Sequence, residues 1–364
     1  MLEVAEIIRR HGAAVRALLG ERLLPSQARV LRDLVACRTA ACGGQLTQCT
    51  AGGRQVYRYH SCRNRHCPKC GGDQIAQWLD RHRAQLLPCR YYLVTVTLPS
   101  ALRAVAFRHQ AVVYGALMQT AAAALQALAA DPRYVGASLG CIAVLHTWTR
   151  ALLYHPHVHL LVTAGGLSAD RARWVPPRHP AFLVPVRALS EIVRAKMCAA
   201  LKRAGVLEQG SPPVWTTSWV VHATPAGNGE QVLDYMARYL FRVAISNSRL
   251  EQIANDQVTF RYRDNRTQGM RHATLSGVEF LRRLLRHVLP RGCTKVRYYG
   301  LWSRTRRRDL EHARQLLTAS PSTPSPATPP RDPTPLPLAP SCPLCHAGTL
   351  ILIAVLPRQP QIPP

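Results

Sequence analysis

The stretch His155-Pro156-His157-Val158-His159-Leu160-Leu161-Val162 restricts the fold more than any other part of this sequence. Its alternating and aliphatic pattern predicts a β-strand. Side chains two residues apart on a strand lie on one face, so His157 and His159 point to the same place while Val158 faces the core. Two imidazoles in that arrangement supply two ligands of a metal site. The alternative is a pair of solvated or core histidines on an edge strand.

Further apolar and β-branched runs surround the histidines. They predict strands over residues 91–98, 140–147, 157–163, 216–222, 258–263 and 295–299. Helical spacing is present over residues 108–130, 229–245 and 276–289. Strands that alternate with helices predict a sheet layer of the α/β or α+β type.

A second pattern of interest is Asp234-Tyr235-Met236-Ala237-Arg238-Tyr239-Leu240-Phe241-Arg242. Tyrosines four residues apart share one face of a helix, one turn from each other. A phenol has a pKa of about 10, so a nucleophilic tyrosine needs a polarised phosphate or a base beside it. Arg238 and Arg242 are positioned to neutralise phosphate. An aromatic pair packed into the core is the alternative.

Cysteine is concentrated near the start of the chain: six of the twelve cysteines lie between Cys37 and Cys70. Residues 37–72 contain few large apolar side chains, so their stability must come from another source, and metal binding supplies it. A helical lead-in over residues 2–36 and a helix over 74–87 flank this stretch. The candidate zinc ligands are Cys37, Cys49, Cys62, His66, Cys67 and Cys70.

The chain is strongly basic, with 47 Lys and Arg against 19 Asp and Glu and a formal charge of +28. Nucleic acid is the expected partner; a ribosomal-type or membrane-surface protein is the alternative. No apolar run of about 18 residues and no signal peptide is apparent, so we expect a cytoplasmic protein with no membrane partner.

Basic and aromatic residues alternate in Phe260-Arg261-Tyr262-Arg263. Arginine can follow the phosphates of single-stranded DNA while aromatic rings stack on unpaired bases, so Arg261 and Arg263 are candidate DNA-binding residues. A strand with one buried and one solvated face explains the same pattern without DNA.

Composition divides the chain into four parts. Residues 1–88 form the predicted zinc-binding, DNA-recognition module and residues 89–302 the predicted catalytic domain. Residues 303–340 form a linker that is first basic and then Pro-rich. Its part from Thr318 to Pro340 is nearly all Pro, Ser, Thr and Ala, a composition typical of a linker or a disordered tail. Residues 341–364 form a short tail that contains Cys342 and Cys345.

The sequence resembles the rolling-circle or HUH transposases of the two-tyrosine, insertion-sequence-ninety-one type. The likeness extends over about residues 5–302 and is carried by five segments. They are residues 61–70, Leu145-His146-Thr147-Trp148, residues 155–159, residues 235–247 and Lys295-Val296-Arg297-Tyr298-Tyr299-Gly300.

The resemblance implies an α+β fold, with an HUH-type antiparallel sheet flanked by helices and preceded by the zinc-binding module. It implies His157 and His159 as ligands of magnesium or manganese, and Tyr235 and Tyr239 as nucleophiles that form a 5′-phosphotyrosine. The implied partners are single-stranded DNA, the element ends and target DNA. The residues do not reveal the third metal ligand; Gln231, one turn before Tyr235, is the candidate.

Some positions depart from the family pattern. The family has a second Cys-x-x-Cys pair where this chain has Cys49 and Gly52, and a His where it has Gln45. Cys42 stands where the family usually has Leu. We therefore expect one intact zinc site, with Cys42 as a candidate substitute ligand.

Three alternatives differ in testable ways. A plasmid relaxase or replication initiator shares the His and Tyr chemistry but lacks a Cys-rich module before the histidines. A non-catalytic, zinc-dependent DNA-binding regulator predicts that His157, His159 and the tyrosines are scattered in space. A decayed transposase would keep the fold without the activity.

Overall fold

The computed structural model describes residues 2–83, 85–179, 181–207, 213–228, 231–232, 243–264, 267–319 and 341–359. Within these ranges the α-helices are α1 Val4–Leu19, α2 Pro25–Ala36, α3 Gly71–Arg83, α4 Arg103–Arg108, α5 Gln110–Ala130, α6 Val186–Arg203, α7 Gly277–Arg286 and α8 Arg307–Ala319. The strands are β1 Gly44–Cys49, β2 Gln55–Tyr59, β3 Arg90–Thr97, β4 Ser138–Trp148, β5 Tyr154–Leu167, β6 Trp174–Val175, β7 Val221–Asn228, β8 Leu250–Ala254, β9 Gln257–Arg263, β10 Met270–Ser276, β11 Val296–Gly300 and β12 Leu350–Leu356.

The central sheet is antiparallel and has the strand order β11-β4-β5-β3-β7, with the short β6 paired to β5. β4 and β5 are its longest strands, with 11 and 14 residues. The predicted α+β class and antiparallel sheet are confirmed. The strand predicted over residues 216–222 instead begins at Val221, because a 3-10 turn at Pro213–Trp215 and an irregular segment precede it.

One face of this sheet is covered by α5 and α6. Val158, Leu160 and Val162 from β5 pack with Leu117 of α5 and Val193 of α6 in a single buried cluster. Burial on this side fixes the alternation of β5, because every second residue must face the helices.

Helix α5 is the one helix in the described ranges that is long and apolar enough to cross a membrane by length and composition. This differs from the expectation that no apolar run reaches that length. Eleven of its residues, among them Leu117, Met118 and Leu125, are buried against the sheet and α6. That burial is typical of the core helix of a globular domain.

The opposite face of the sheet carries a smaller cluster. Ile142 and Val144 of β4 pack with Leu161 of β5, Tyr91 and Val232. The predicted helix over residues 229–245 lies mostly outside the described residues; its residues 231–232 are helical. This second face is the one that carries the functional site.

A third core joins distant parts of the chain. Ile7 and Ile8 of α1 and Leu31 of α2 are buried with Phe260 of β9 and Phe280 of α7. Ser276 is the N-cap of α7, and its hydroxyl oxygen accepts a hydrogen bond from the Glu279 amide at 3.2 Å. The N-terminal helices are therefore packed on the β8–β10 sheet and α7.

The cysteine-rich stretch over residues 37–72 contains the β1–β2 hairpin. β12 adds to the other edge of β1, with Gly44 opposite Leu356 and Cys49 opposite Leu350, to give a three-stranded antiparallel sheet in the order β12-β1-β2. The short segment at the end of the chain thus belongs to the same sheet as the cysteine-rich stretch.

Candidate functional site

Three histidines converge on the sheet face opposite α5. His157 and His159 lie on β5 as predicted, and the antiparallel register places His146 of β4 directly opposite His157. The ring centroids of His157 and His159 are 4.9 Å apart, and that of His146 is 5.5 Å from His157 and 5.0 Å from His159. One ligating nitrogen from each ring lies within 4.8 Å of the other two. Three imidazoles with this spacing can share one metal ion.

Hydrogen bonds orient two of these rings. His157 Nδ1–H donates to the backbone oxygen of His155 at 2.7 Å, and the Thr95 hydroxyl is hydrogen-bonded to His159 Nδ1 at 2.9 Å. Both contacts occupy Nδ1, which directs metal binding to Nε2. Bonds of this kind fix the tautomer and orientation of a metal-binding imidazole.

Burial favours the neutral form of His157 and His159. It lowers the pKa of His159 to about 3, with further contributions from the charges of His157 and Lys295, and it lowers the pKa of His157 as well. A metal ion binds the neutral imidazole, so these rings are in the ligand form at neutral pH.

A small pocket lies beside the histidines. It is lined in part by His66, Trp148, His287 and Lys295. Trp148 stacks on His146 with ring centroids 4.8 Å apart, and Lys295 Nζ lies 5.1 Å from the Trp148 ring. Burial lowers the pKa of Lys295 to about 7. The segments 61–70, 145–148 and 295–300, which are far apart in sequence, therefore meet at this pocket.

His146 is the residue that sequence reasoning missed. Gln231, the candidate third ligand, lies next to Gly227 of β7. Gly227 pairs with Tyr91 of β3, and Tyr91 is four residues along that strand from Thr95, the residue that contacts His159. His146 was visible in a motif on a predicted strand, but only the β4–β5 register reveals that it faces His157. Tyr235, Tyr239, Arg238 and Arg242 lie outside the described residues.

A four-thiol cluster forms in the N-terminal module. Cys37, Cys62, Cys67 and Cys70 bring their sulfur atoms within 4.8 Å of one another, and Cys62 Sγ lies 3.8 Å from Cys70 Sγ. A tetrahedral zinc with Zn–S bonds of about 2.3 Å separates its sulfurs by roughly 3.8 Å. The amide of Asn64 donates to Cys62 Sγ at 3.4 Å. The donor set and the spacing both fit zinc.

Two of the six predicted zinc ligands lie elsewhere. His66 is not part of the four-thiol cluster: it lines the pocket beside Trp148, and burial lowers its pKa to about 3. Cys49 groups with Cys342 and Cys345 in a second thiol cluster. Cys42 belongs to neither cluster, and its thiol is hydrogen-bonded to the Ala36 carbonyl at 3.2 Å.

The predicted DNA-binding strand, β9, has one buried and one solvated face. Phe260 is fully buried against Phe280 and cannot stack on a base. Arg261 and Arg263 are exposed and form hydrogen bonds with the backbone oxygens of Ser248 and Gln268, at 3.3 and 2.9 Å. The two guanidinium groups remain accessible to a polyanion.

These features define a basic α+β protein with side-chain clusters whose spacing could hold metal ions. The model of a family described as "Putative transposase" matches residues 140–309, which contain all three clustered histidines. The model of a "Transposase zinc-binding domain" matches residues 7–98, which contain the four-thiol cluster. Cys342 and Cys345 lie outside both matched ranges.

Two known proteins are similar over most of the chain. One, named "Putative transposase y4qJ", from Sinorhizobium fredii (strain NBRC 101917 / NGR234), is 42% identical over 381 residues, which cover 97% of this chain and 95% of the relative. The other, named "Transposase for insertion sequence element IS801", from Pseudomonas savastanoi pv. phaseolicola, is 30% identical over 289 residues, which cover 73% and 68%. No solved structure matches the chain. The chain belongs to the insertion-sequence-ninety-one-type transposases with an N-terminal zinc-binding domain.

Proposed function

We propose that this transposase cleaves and rejoins single-stranded DNA by metal-assisted tyrosine transesterification and moves its element by a rolling-circle route. The observation that carries the proposal is the convergence of His146, His157 and His159 on one face of the central sheet. A non-catalytic DNA-binding protein has no need for such a cluster, and a relaxase or replication initiator is expected to lack the zinc-binding domain that precedes it.

The three imidazoles are the proposed ligands of a divalent ion. Thr95 and the His155 carbonyl hold two of the rings, a support that is typical of metal-binding histidines. Magnesium prefers oxygen ligands, so an all-imidazole donor set favours manganese over magnesium. When bound, the ion would act as a Lewis acid on the scissile phosphate.

Tyr235 and Tyr239 are the proposed nucleophiles. They follow Val232 by three and seven residues, the spacing of one helical face, and Val232 is buried on the sheet face that carries the histidines. On the other side of this segment, Val243 lines the pocket with Trp148 and Lys295. Val232 thus lies on the histidine face and Val243 on a pocket whose Trp148 stacks on His146, which supports the assignment.

The proposed reaction exchanges one phosphodiester for another. The phenol oxygen of a tyrosine attacks phosphorus, a tyrosyl O–P bond forms, the bond from phosphorus to the 3′ oxygen breaks, and the phenol proton is balanced by protonation of the released 3′-OH. The product is a 5′-phosphotyrosine. A 3′-OH from another strand reverses the step, so joining needs no ATP, and two tyrosines allow two strands to be held at once.

DNA binding is assigned to cationic side chains on a chain of formal charge +28. Arg261 and Arg263 are exposed on β9, and Arg238 and Arg242 flank the tyrosines in sequence. The proposed substrates are the element ends and the target in single-stranded form, in the cytoplasm of a bacterium at its nucleoid. Phosphate contacts of this kind provide affinity without sequence specificity.

Zinc is assigned to the four-thiol cluster. Cys37, Cys67 and Cys70 are buried in the core shared with α1, α2 and α7, so the ion would join the N-terminal helices to the β8–β10 sheet. The proposed role is recognition of element DNA by a module held in a fixed position relative to the histidines.

The direct test is incubation of the purified protein with labelled single-stranded element ends and Mn²⁺, followed by denaturing electrophoresis. We expect a covalent protein–DNA adduct that is resistant to denaturant and depends on the metal. The matched controls are the His157→Ala variant and EDTA. DNA binding without any adduct, under conditions in which the protein holds Mn²⁺, would refute the catalytic proposal.

A further inference from the structure

Residues that are far apart in sequence form a second group of thiols. Cys49 is the last residue of β1, and Cys342 and Cys345 lie in the turn that precedes β12. The pairing of β12 with β1 places Cys49 opposite Leu350. The Cys49 and Cys345 sulfurs, 296 positions apart in sequence, are 3.5 Å apart.

The spacing of these sulfurs fits metal ligation. The three thiols lie within 4.8 Å of one another. The distance of 3.5 Å between Cys49 Sγ and Cys345 Sγ is close to the roughly 3.8 Å expected for two thiolates on a tetrahedral zinc, and far from the S–S bond of about 2.05 Å in a disulfide. Cys49 and Cys342 are buried and Cys345 is exposed, so the group opens to solvent on one side.

Backbone contacts hold the turn in place. The Cys342 amide donates to the Gly348 carbonyl at 2.7 Å and the His346 amide to the Cys342 carbonyl at 2.9 Å. The Thr50 amide donates to the Thr349 carbonyl at 3.0 Å, which joins the turn to the end of β1. Because these bonds are independent of any ion, the thiols are preorganised.

Gly348 is required for the close approach. A Cβ atom at this position would lie 2.5 Å from Cys49 Sγ and 2.8 Å from the Ala51 amide nitrogen. Contacts this short do not occur in folded proteins, so a larger residue would displace Cys49 from the other two sulfurs.

The sheet that carries the group has little core of its own. Its buried cluster consists of Cys49, Cys342 and Leu350, with Val56 packed beside it. On β12, Ile351 and Val355 are 51% and 67% exposed. A three-stranded sheet with so little apolar burial needs another source of stability, and a metal ion bound by β1 and by the turn before β12 supplies one.

We propose that Cys49, Cys342 and Cys345 bind a second zinc ion, with solvent at the fourth position, and that this ion fastens the C-terminal strand β12 to the hairpin β1–β2. Thiolates select zinc over the harder magnesium and manganese ions. Within the described residues the group contains three ligands, and the exposure of Cys345 places the remaining position toward water. The site is separate from the four-thiol cluster and independent of the DNA chemistry proposed above.

Native mass spectrometry of the full chain tests the assignment. The measurement uses the His157→Ala background, because the imidazole cluster can also take up zinc. We expect two zinc ions per chain, and one in Cys345→Ser, an exposed position where the change costs no core packing. Cys198→Ser, in α6 and outside both thiol clusters, is the matched control and should keep two.

A second variant leaves all twelve cysteines in place. Gly348→Ala should also lower the zinc content by one, because it displaces Cys49. In both variants, amide hydrogen exchange over β12 should quicken at least tenfold while exchange over β4 and β5 is unchanged. A zinc content that is the same in wild type, Cys345→Ser and Gly348→Ala would overturn the proposal, and so would a Cys49–Cys345 disulfide in protein purified under reducing conditions.

Discussion

His146 of β4 and His157 of β5 are cross-strand neighbours, with ring centroids 5.5 Å apart and planes inclined at 88°. The site is therefore built on the two longest strands of the sheet and not on loops. A slip of one residue between β4 and β5 would turn the His146 side chain to the α5 face. The burial of Leu145 and Val158 on that face prevents such a slip.

Because His146 is paired with His157, we expect His146, and not Gln231, to be the third metal ligand. Replacement of His146 by Ala should lower Mn²⁺ affinity and adduct formation together, by about 100-fold or more, because an interaction worth several kcal/mol is lost. Gln231→Ala is the matched control and should retain both. Calorimetry with Mn²⁺ and the adduct assay give the two readouts. The assignment fails if Gln231→Ala loses the metal and His146→Ala keeps it.

Substitution of the tyrosines should affect adduct formation differently from substitution of the histidines. Tyr235→Phe or Tyr239→Phe removes one nucleophile, so an adduct on the other residue should persist. The double variant should form no adduct and still bind single-stranded DNA, because binding depends on the basic side chains. His157→Ala should suppress both adducts together, since the two routes share one metal. An adduct formed by the double phenylalanine variant would place the nucleophile elsewhere.

Metal binding at the histidines should tolerate mild acid. The pKa of His159 lies at about 3, so its ring stays neutral at pH 5.5 in the folded protein, and burial also lowers the pKa of His157. Mn²⁺ affinity should therefore fall by less between pH 7.5 and 5.5 than the roughly tenfold per ligand expected for rings with the ordinary pKa of about 6.5. Calorimetry at the two pH values distinguishes histidines with lowered pKa values from histidines with ordinary ones.

The same lowered pKa values should make the metal-free fold less stable in acid. Below about pH 6.5 the unfolded chain binds protons that the folded chain does not, so the free energy of unfolding should decrease as the pH falls toward 3. Chemical denaturation of metal-free protein over this range checks the sign.

Removal of zinc should unfold the cysteine-rich stretch more readily than it unfolds the central sheet. Residues 37–72 contain few apolar side chains apart from the cysteines, whereas most residues of β4 and β5 are buried. Chelation should therefore raise amide exchange over residues 37–72 and leave β4 and β5 protected. Equal protection of residues 37–72 with and without bound zinc would refute the assignment of stability to the metal.

Single-stranded DNA binding should weaken steeply with salt, because phosphate neutralisation releases counterions. Each phosphate contact contributes about 0.7 to the slope of log K against log salt, so Arg261→Gln together with Arg263→Gln should reduce it by about 1.4. Arg133→Gln is the control, since Arg133 is already paired with Asp131 at 2.6 Å. An unchanged slope in the double variant would exclude β9 from the DNA-binding surface.

Local patterns predicted the elements well where one face is buried. The alternation that placed His157 and His159 on one face holds because Val158 and Leu160 pack under α5. Helix α6 was not predicted, although its buried residues Leu189, Val193, Met197 and Leu201 recur every four positions. That signal was present in the sequence.

Contacts between distant segments could not be predicted. The position of His146 depends on the β4–β5 register, which no local pattern encodes. Cys49 lies near the other cysteines in sequence, but β12 carries Cys342 and Cys345 to it from the far end of the chain. His66 was assigned to zinc on proximity, yet the loop between Cys62 and Cys67 directs it to the pocket beside Trp148.

The pairing of β12 with β1 also sets an order of events during synthesis. At about 5 to 20 residues per second, the 296 positions between Cys49 and Cys345 take roughly 15 to 60 s to translate. For that time β1 has an unpaired edge and Cys49 has no thiol partner from the distal turn, both hazards for a nascent chain. A product cut short before residue 341 keeps both permanently. Closure of this sheet therefore requires synthesis to continue through β12, long after the residues of β1 have been made.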